Sequence, residues 1–398
     1  MAARREITKK YAKAYGQASK KAKGQLLDEL CAATGWSRDN ARRAIRNATT
    51  RKGRASQQKR KPRPRGYSYD ALVVLIEVWS LAGEPSGKYL HPVLADTLAM
   101  LDTHGELHRV TQRLNDAVEA ELLAMSPATI DRYLKPTRDR RDRLRGKSTT
   151  RPGNTLRESI PVRPATQATE TTPGFFEIDL VAHCGHTSEG QYLHTLTATD
   201  VAIGWTVPVA LPNKAHRWAK EAIELIADTL PYPMTGIDSD NGGEFINHQL
   251  ASWTLARKMT MTRGRPHRSN DNAHVEQRNG DWVRRHGFRY RYDTPEELTL
   301  LDQLWELVAL KKNYLLPTKK ATGWTTTKAG RSRRTYDTPK TPYQRLLDSG
   351  ALTPSQAEEL TWVHDHLNPA EITRGITEIQ QQLIHHATLK TQALRAAA

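Results

Sequence analysis

Gly174-Phe-Phe-Glu-Ile-Asp-Leu-Val181 is the stretch on which the fold of this chain turns. The large apolar residues from Phe175 to Val181 have the composition of a buried strand, yet two acids, Glu177 and Asp179, stand among them. A carboxylate inside such a strand is costly to bury unless something compensates its charge. Asp179 therefore asks for a cation. Working outward, 191–199 and 203–211 alternate like a pair of strands, 217–230 reads as a helix and 234–238 as a short strand. A helix over 247–258, a strand over 259–262 and a helix over 272–285 complete the run.

Two further acids occupy defined places in that order. Asp240 opens Asp-Asn-Gly-Gly-Glu-Phe (240–245) just past the fourth strand, and Glu276 lies in Asn-Asp-Asn-Ala-His-Val-Glu-Gln-Arg-Asn-Gly (270–280) on the last helix, with 35 residues between the two. Singly, each has an ordinary explanation: a partner for a core arginine, a turn residue, an exposed helical acid. Together they offer only hard oxygen ligands, which suit Mg²⁺ or Mn²⁺. Two such ions about 3.5–4 Å apart can clamp the attacking and leaving oxygens of a phosphodiester, and three acids suffice to hold them. Asp238 has the strand parity of Asp240, and Glu177 that of Asp179; these two, with Glu244 and Asp200, are reserves. His183, Cys184 and His186 lack a fourth ligand at an interpretable spacing and are read as a turn.

Charge is distributed unevenly. The 398 residues carry +17 overall, with pI ≈ 9.8, but residues 1–66 hold 20 Lys or Arg against 4 Asp or Glu, while the other 332 hold 40 against 39. A polyanion-binding end joined to a nearly neutral body is the natural reading. Within that end, residues 25–34 and 38–47 read as two helices joined by a turn at Gly35, with Ser37 as cap. The second helix tucks in Ala41, Ala44 and Ile45 and shows Arg38, Arg42, Arg43 and Arg46, the pattern of a helix-turn-helix recognition helix. Lys59, Arg60, Lys61, Arg63 and Arg65 form an extended strip suited to phosphates. A second helical module spans 69–134 and ends in a capped helix whose expected outward residues are Thr129, Arg132 and Tyr133; completing a bundle is an equally good role for it. Residues 135–173 read as a basic Pro/Thr-rich linker. Arg263, Arg265 and Arg268 before the Glu276 helix, and Arg278 on it, are candidate DNA contacts. After a helix over 296–314, residues 318–340 read as a Lys/Thr/Arg-rich loop and 341–398 as helical. Two cysteines, Cys31 and Cys184, exclude a disulfide framework, and the chain has no apolar run of membrane-spanning length. A soluble cytoplasmic, nucleoid-associated protein is expected.

The sequences Asp-Leu-Val-Ala-His-Cys-Gly (179–185), Thr-Asp-Val-Ala-Ile-Gly-Trp (199–205), Asp-Ser-Asp-Asn-Gly-Gly-Glu-Phe-Ile-Asn (238–247) and Asn-Asp-Asn-Ala-His-Val-Glu-Gln-Arg-Asn (270–279) resemble bacterial insertion-sequence transposases of the DDE superfamily with a retroviral-integrase-type core. The resemblance covers about 174–290. It implies a ribonuclease H-like α/β catalytic core over 174–316, preceded by all-α helix-turn-helix modules (1–58 and 69–134, joined by the linker 59–68) and followed by a helical region (317–398). It also implies catalytic and metal-binding roles for Asp179, Asp240 and Glu276. Asp179 would bridge two Mg²⁺ ions, with Asp240 and Glu276 holding one each. The implied activity is cleavage at terminal inverted repeats and transfer of 3′ hydroxyls into target double-stranded DNA by at least a dimer. The zinc-binding module of retroviral integrases has no counterpart here, so end recognition falls to residues 1–134. A catalytically silent DNA-binding protein and a ribonuclease H-like nuclease are the alternatives.

Overall fold

The computed structural model describes residues 2–49, 66–139, 170–240, 242–264, 273–326 and 332–396. Met1–Gly66 and Tyr67–Ala398 are two compact units.

In the first unit α1 (Ala2–Gln17), α2 (Lys20–Thr34) and α3 (Arg38–Thr49) bury Ala12, Leu27, Leu30, Ala41 and Ile45 against one another. Ser19 caps α2 by accepting the Ala22 amide, and Asn40 N–H donates to the Ser37 hydroxyl at the start of α3. Gly35 lies between them at φ 69°, where its amide donates to the Cys31 carbonyl; a residue with a Cβ is strained there. The sequence reading assigns no helix before residue 25. Ile7, Tyr11 and Tyr15, at four-residue spacing, are the stripe that packs α1 onto this core.

The second unit begins with α4 (Tyr69–Leu81), α5 (Gly87–Leu90), α6 (Leu94–Thr103), α7 (Asp116–Ala124) and α8 (Pro127–Asp139), which enclose Val74, Leu75, Trp79, Leu101, Leu122 and Ile130. The α8 helix completes this bundle, since Ile130 and Leu134 are fully buried and Asp131 accepts the Gly87 amide at 2.8 Å.

Strands β1 (Phe175–Ala182), β2 (His194–Asp200) and β3 (Thr206–Leu211) are followed by α9 (His216–Thr229), β4 (Gly236–Ser239), α10 (His248–Ala256), β5 (Thr260–Arg263) and α11 (Ala273–Arg278), which runs on into a π-helical turn, Asn279–Arg284. This is the element order read from the sequence. The sheet order is β3-β2-β1-β4-β5, with β1, β2 and β3 antiparallel and β4 and β5 parallel to β1. Register puts Glu177, Asp179, Thr195, Thr197, Thr199 and Asp238 on one face. That face is covered by α11, whose Val275 amide donates to Glu177, and by α12 (Pro295–Leu310), whose Trp305 donates to the Thr195 hydroxyl. Ile178, Leu196, Ala198 and Ile237 face the other way, and α9 supplies Ala219, Ala222, Ile223 and Ile226 to the same core.

Beyond α12 comes a second π-helical turn, Lys311–Leu315, and then a difference from the sequence reading. The segment read as a loop over 318–340 contains β6 (Ala321–Thr326) and β7 (Ser332–Tyr336), paired as a hairpin. It lacks an apolar period because neither face is covered. The chain ends in α13 (Pro342–Asp348), α14 (Pro354–Asp365) and α15 (Pro369–Ala396). Modules that the sequence separates are joined through α15: Ala370 lies in the α4–α8 core, Thr373 donates to the Leu81 carbonyl, Gln380 donates to the His286 carbonyl, and Lys390 pairs with Asp293 and Glu297.

Candidate active site

The acids gather where β1 and β4 run side by side. Glu177 pairs with Asp238 and Ile178 with Ser239, so the next residues along the two strands are Asp179 and Asp240. Glu177, Asp179 and Asp238 thus share one face, and Asp240 follows directly on the last residue of β4. Burial separates them into two pairs. Glu177 and Asp238 are 2% and 3% exposed; Glu177 accepts the Val275 amide at 3.0 Å and Asp238 accepts the Thr262 hydroxyl. Asp179 is half-buried and Asp240 is exposed. Asp179 uses Oδ1 for the Leu180 amide (2.8 Å) and Oδ2 for the side-chain amide of Asn279 (2.6 Å). Asp240 Oδ1 accepts the Gly242 amide at 2.8 Å. Sequence parity leaves Asp238 and Asp240 equivalent; solvent access distinguishes them.

Glu276 is carried on α11, between Val275, whose amide is bound to Glu177, and Asn279, whose side chain is bound to Asp179. Its backbone is thereby fixed beside β1, while its side chain lies outside the described residues. Among the described residues no three His, Cys, Asp or Glu side chains could hold one metal ion; Asp179 and Asp240 are more accessible there than Glu177 and Asp238.

Electrostatics and satisfaction of polar atoms both mark this place. The Glu244 carboxyl is pushed up by burial and then by the charge of the neighbouring Asp240, a repulsion that a bound cation relieves. The Asn279 carbonyl oxygen and the hydroxyl of Thr197, the register partner of Asp179, are buried without a hydrogen-bond partner among the described residues. Unsatisfied buried polar atoms cost about 1–3 kcal/mol each, and water or an ion beside Asp179 would satisfy them. The donor set is entirely oxygen, which fits a hard divalent cation.

The reserves have structural work. Asp200, whose carboxyl is pushed up by burial, accepts the amides of Gly174, Ala202 and Ile203 and so ties the start of β1 to the β2–β3 turn. His183 is buried, bonded to Thr195 and pushed down to about 3 by burial, and Gly185 turns the chain at φ 64°. The turn reading of 183–186 is therefore the observed one.

The candidate DNA contacts fall into four groups. Arg38, Arg42, Arg43 and Arg46 all lie on the exposed side of α3, though Arg38 pairs with Asp28 at 2.6 Å and Arg42 with Asp39 at 3.5 Å. Arg132 is exposed, but Thr129 is not an outward residue. It is 9% exposed because its hydroxyl closes onto Ser126 and accepts from Arg132 at 3.0 Å. Arg263 is 7% exposed at the end of β5, and Arg278 donates to the Gly204 carbonyl and lies 5.9 Å from the Trp282 ring centre. Gly204, at φ 76°, has no Cβ to obstruct that guanidinium. Arg278 thus anchors α11 to the β2–β3 turn. Lys59, Arg60, Lys61, Arg63, Arg65, Arg265 and Arg268 lie outside the described residues.

No family model matches the chain. The protein y4rM of Sinorhizobium fredii, described as uncharacterised, is 32% identical over 322 residues, which cover 80% of this chain and 88% of that protein. This chain belongs to the y4rM family. Membership assigns no reaction. Among solved structures, the catalytic core domain of BIV integrase in crystal form I is similar at 16% identity, covering 44% of this chain and 95% of that one with a TM-score of 0.30.

The sequence places Asn279 on the Glu276 helix, three positions on at a helical neighbour spacing, but does not show that its amide reaches Asp179. One residue beside the carboxylates escapes the sequence reading altogether. Arg284, which donates to the Ala182 carbonyl at the end of β1 at 2.9 Å, left no signal, because the π-helical turn that places it has no sequence signature.

Proposed function

We propose that this protein is a DNA transposase of the DDE type, which binds transposon ends and carries out Mg²⁺- or Mn²⁺-dependent strand cleavage and 3′-hydroxyl strand transfer. The observation that supports the reading is that Asp179 and Asp240 each follow directly on Ile178 and Ser239, the last pair of the β1–β4 register, with the Glu276 helix bonded to β1 on both sides of Glu276. Asp179, Asp240 and Glu276 would hold the divalent ions, which stabilise charge on the attacking and leaving oxygens when bound. Asn279 orients the Asp179 carboxylate through its amide. Asp240, at the exposed strand end, meets the phosphodiester from the solvent side. The arginine face of α3 and the basic segment that follows it supply sequence-independent attraction to duplex DNA. Joining two ends to a target calls for at least two copies of the chain.

The test is incubation of the full chain with duplexes carrying candidate element ends and Mg²⁺, with nicked and joined products mapped on denaturing gels. Asp179→Asn, Asp240→Asn and Glu276→Gln should each abolish both products; full activity in any one removes that residue from the assignment. Cleavage of RNA–DNA hybrids without joining of DNA ends would instead identify a ribonuclease H-like nuclease, and binding without chemistry a silent DNA-binding protein.

A further inference from the structure

The β6–β7 hairpin is a basic, aromatic ribbon within an otherwise nearly neutral unit. Residues 318–340 carry seven Lys or Arg and one Asp, and that aspartate, Asp337, is neutralised internally by Arg345 at 2.6 Å. Trp324 is 65% and Tyr336 52% exposed. A two-stranded ribbon with no covered face is marginal by itself in water, so one that displays a tryptophan and a tyrosine has a surface to be covered. Its root, by contrast, is clamped. Lys320 and Asp337 exchange hydrogen bonds, Arg345 donates to the Thr318 carbonyl at 2.9 Å, and Lys320 Nζ donates to the Ala202 carbonyl. The Ala202 carbonyl belongs to the β2–β3 turn that Arg278 of α11 grips through Gly204. The ribbon therefore projects from the turn that anchors the Glu276 helix.

Register decides what such a ribbon fits. Trp324 pairs with Arg334, whose guanidinium lies 5.2 Å from the indole ring centre, and Thr325 pairs with Arg333. Successive residues point to opposite faces, so among the described residues each face presents one exposed arginine. A flat anionic surface would use one face only. Two phosphate walls use both, and the major groove of duplex DNA, about 12 Å wide, admits a two-stranded ribbon whose strands lie about 5 Å apart.

We propose that the paired strands β6 (Ala321–Thr326) and β7 (Ser332–Tyr336) are a second DNA-contacting element, which enters the major groove of a duplex and places Arg333 and Arg334 on opposite phosphate backbones. This rests on the reading of the chain as acting on duplex DNA. The test uses the full chain in EDTA, so that no chemistry intervenes, with a 30-base-pair duplex of arbitrary sequence as probe. Fluorescence anisotropy over a salt series gives the slope of log affinity against log salt. Arg333→Gln combined with Arg334→Gln should make that slope shallower by about 1.8, since each phosphate contact contributes roughly 0.9. Hydrogen–deuterium exchange on the unaltered chain provides a second readout, with duplex expected to protect the backbone amides of 321–336. An unchanged slope, absence of duplex-induced protection at 321–336, or protection by single-stranded DNA alone overturns the proposal. A chain that passes these tests but never cleaves or joins DNA would overturn the transposase reading and leave this one standing.

Discussion

Lys311 offers a quantitative check on the packing around the second π-helical turn, beside the helical bundle. It sits on the second π-helical turn, 6% exposed, among Ala82, Pro85, Leu90, Val93, Leu315 and Leu316, with its ammonium donating to the Thr373 hydroxyl at 3.0 Å. Burial, and then the charges of Lys312 and Arg285, push it down to about 7 from an ordinary 10.5. The folded protein therefore releases this proton near pH 7, whereas the unfolded chain keeps it to about pH 10.5. The unfolded state binds more protons throughout that window, so stability rises with pH across it and is lost again as pH falls through 7. Each pH unit well inside the window is worth about 1.4 kcal/mol, and half-protonation at its lower edge trims the first. From pH 7 to pH 9 the gain is about 2 kcal/mol. Lys311→Met keeps the volume and removes the titration. Guanidinium unfolding at pH 7, 8 and 9 should thus show wild type gaining about 2 kcal/mol relative to the variant. A difference that stays constant over that range would refute the reasoning.

Three further outcomes follow from the same geometry. Trp305→Ala, which empties a fully buried site and removes the donor to Thr195, should cost about 3–5 kcal/mol in urea unfolding; a loss below about 1 kcal/mol would contradict the packing described. His183 and His286 are both pushed down to about 3 by burial, so the stability gained by keeping them neutral is complete above pH 6.5 and lost only as pH falls towards 3. Their imidazole proton resonances should stay fixed from pH 7.5 to 4.5, and a midpoint near 6.5 would show that they are solvated. On the proposed function, Asn279→Ala should lower strand transfer about 10–100-fold, with partial recovery at raised Mg²⁺; a loss indifferent to Mg²⁺ would show that Asn279 does not act through a metal held by Asp179.

Legibility in the sequence followed burial. The β1 strand was readable because its apolar run is long and bounded, and α9 and α12 because their buried residues recur at helical spacing. Asp240 stood out through its turn, but its distinction from Asp238 needed the structure, since parity is identical and only solvent access and the Thr262 hydroxyl differ. The hairpin was unreadable for the opposite reason. An alternating pattern arises when one face meets a core, and β6 and β7 have neither face covered. Thr129 misled because a Ser-Pro-capped helix predicts its first turn well but not which side of it faces the bundle. Arg278 misled in the same way: its place on the helix was right, but its reach to Gly204 depends on a turn distant in sequence.

The 28-residue α15, about 42 Å long at 1.5 Å per residue, works as a strut. Its first turns are bolted to the α4–α8 bundle, its middle rests against α12 through Gly375 and Leu307, and Lys390 near its far end is tied to the acids at the start of α12. A bar fastened at three stations resists hinging at any one of them, so the bundle and the carboxylate sheet move as one rigid jig. Anything gripped by the bundle is then presented to Asp179 and Asp240 at a spacing set by the chain itself.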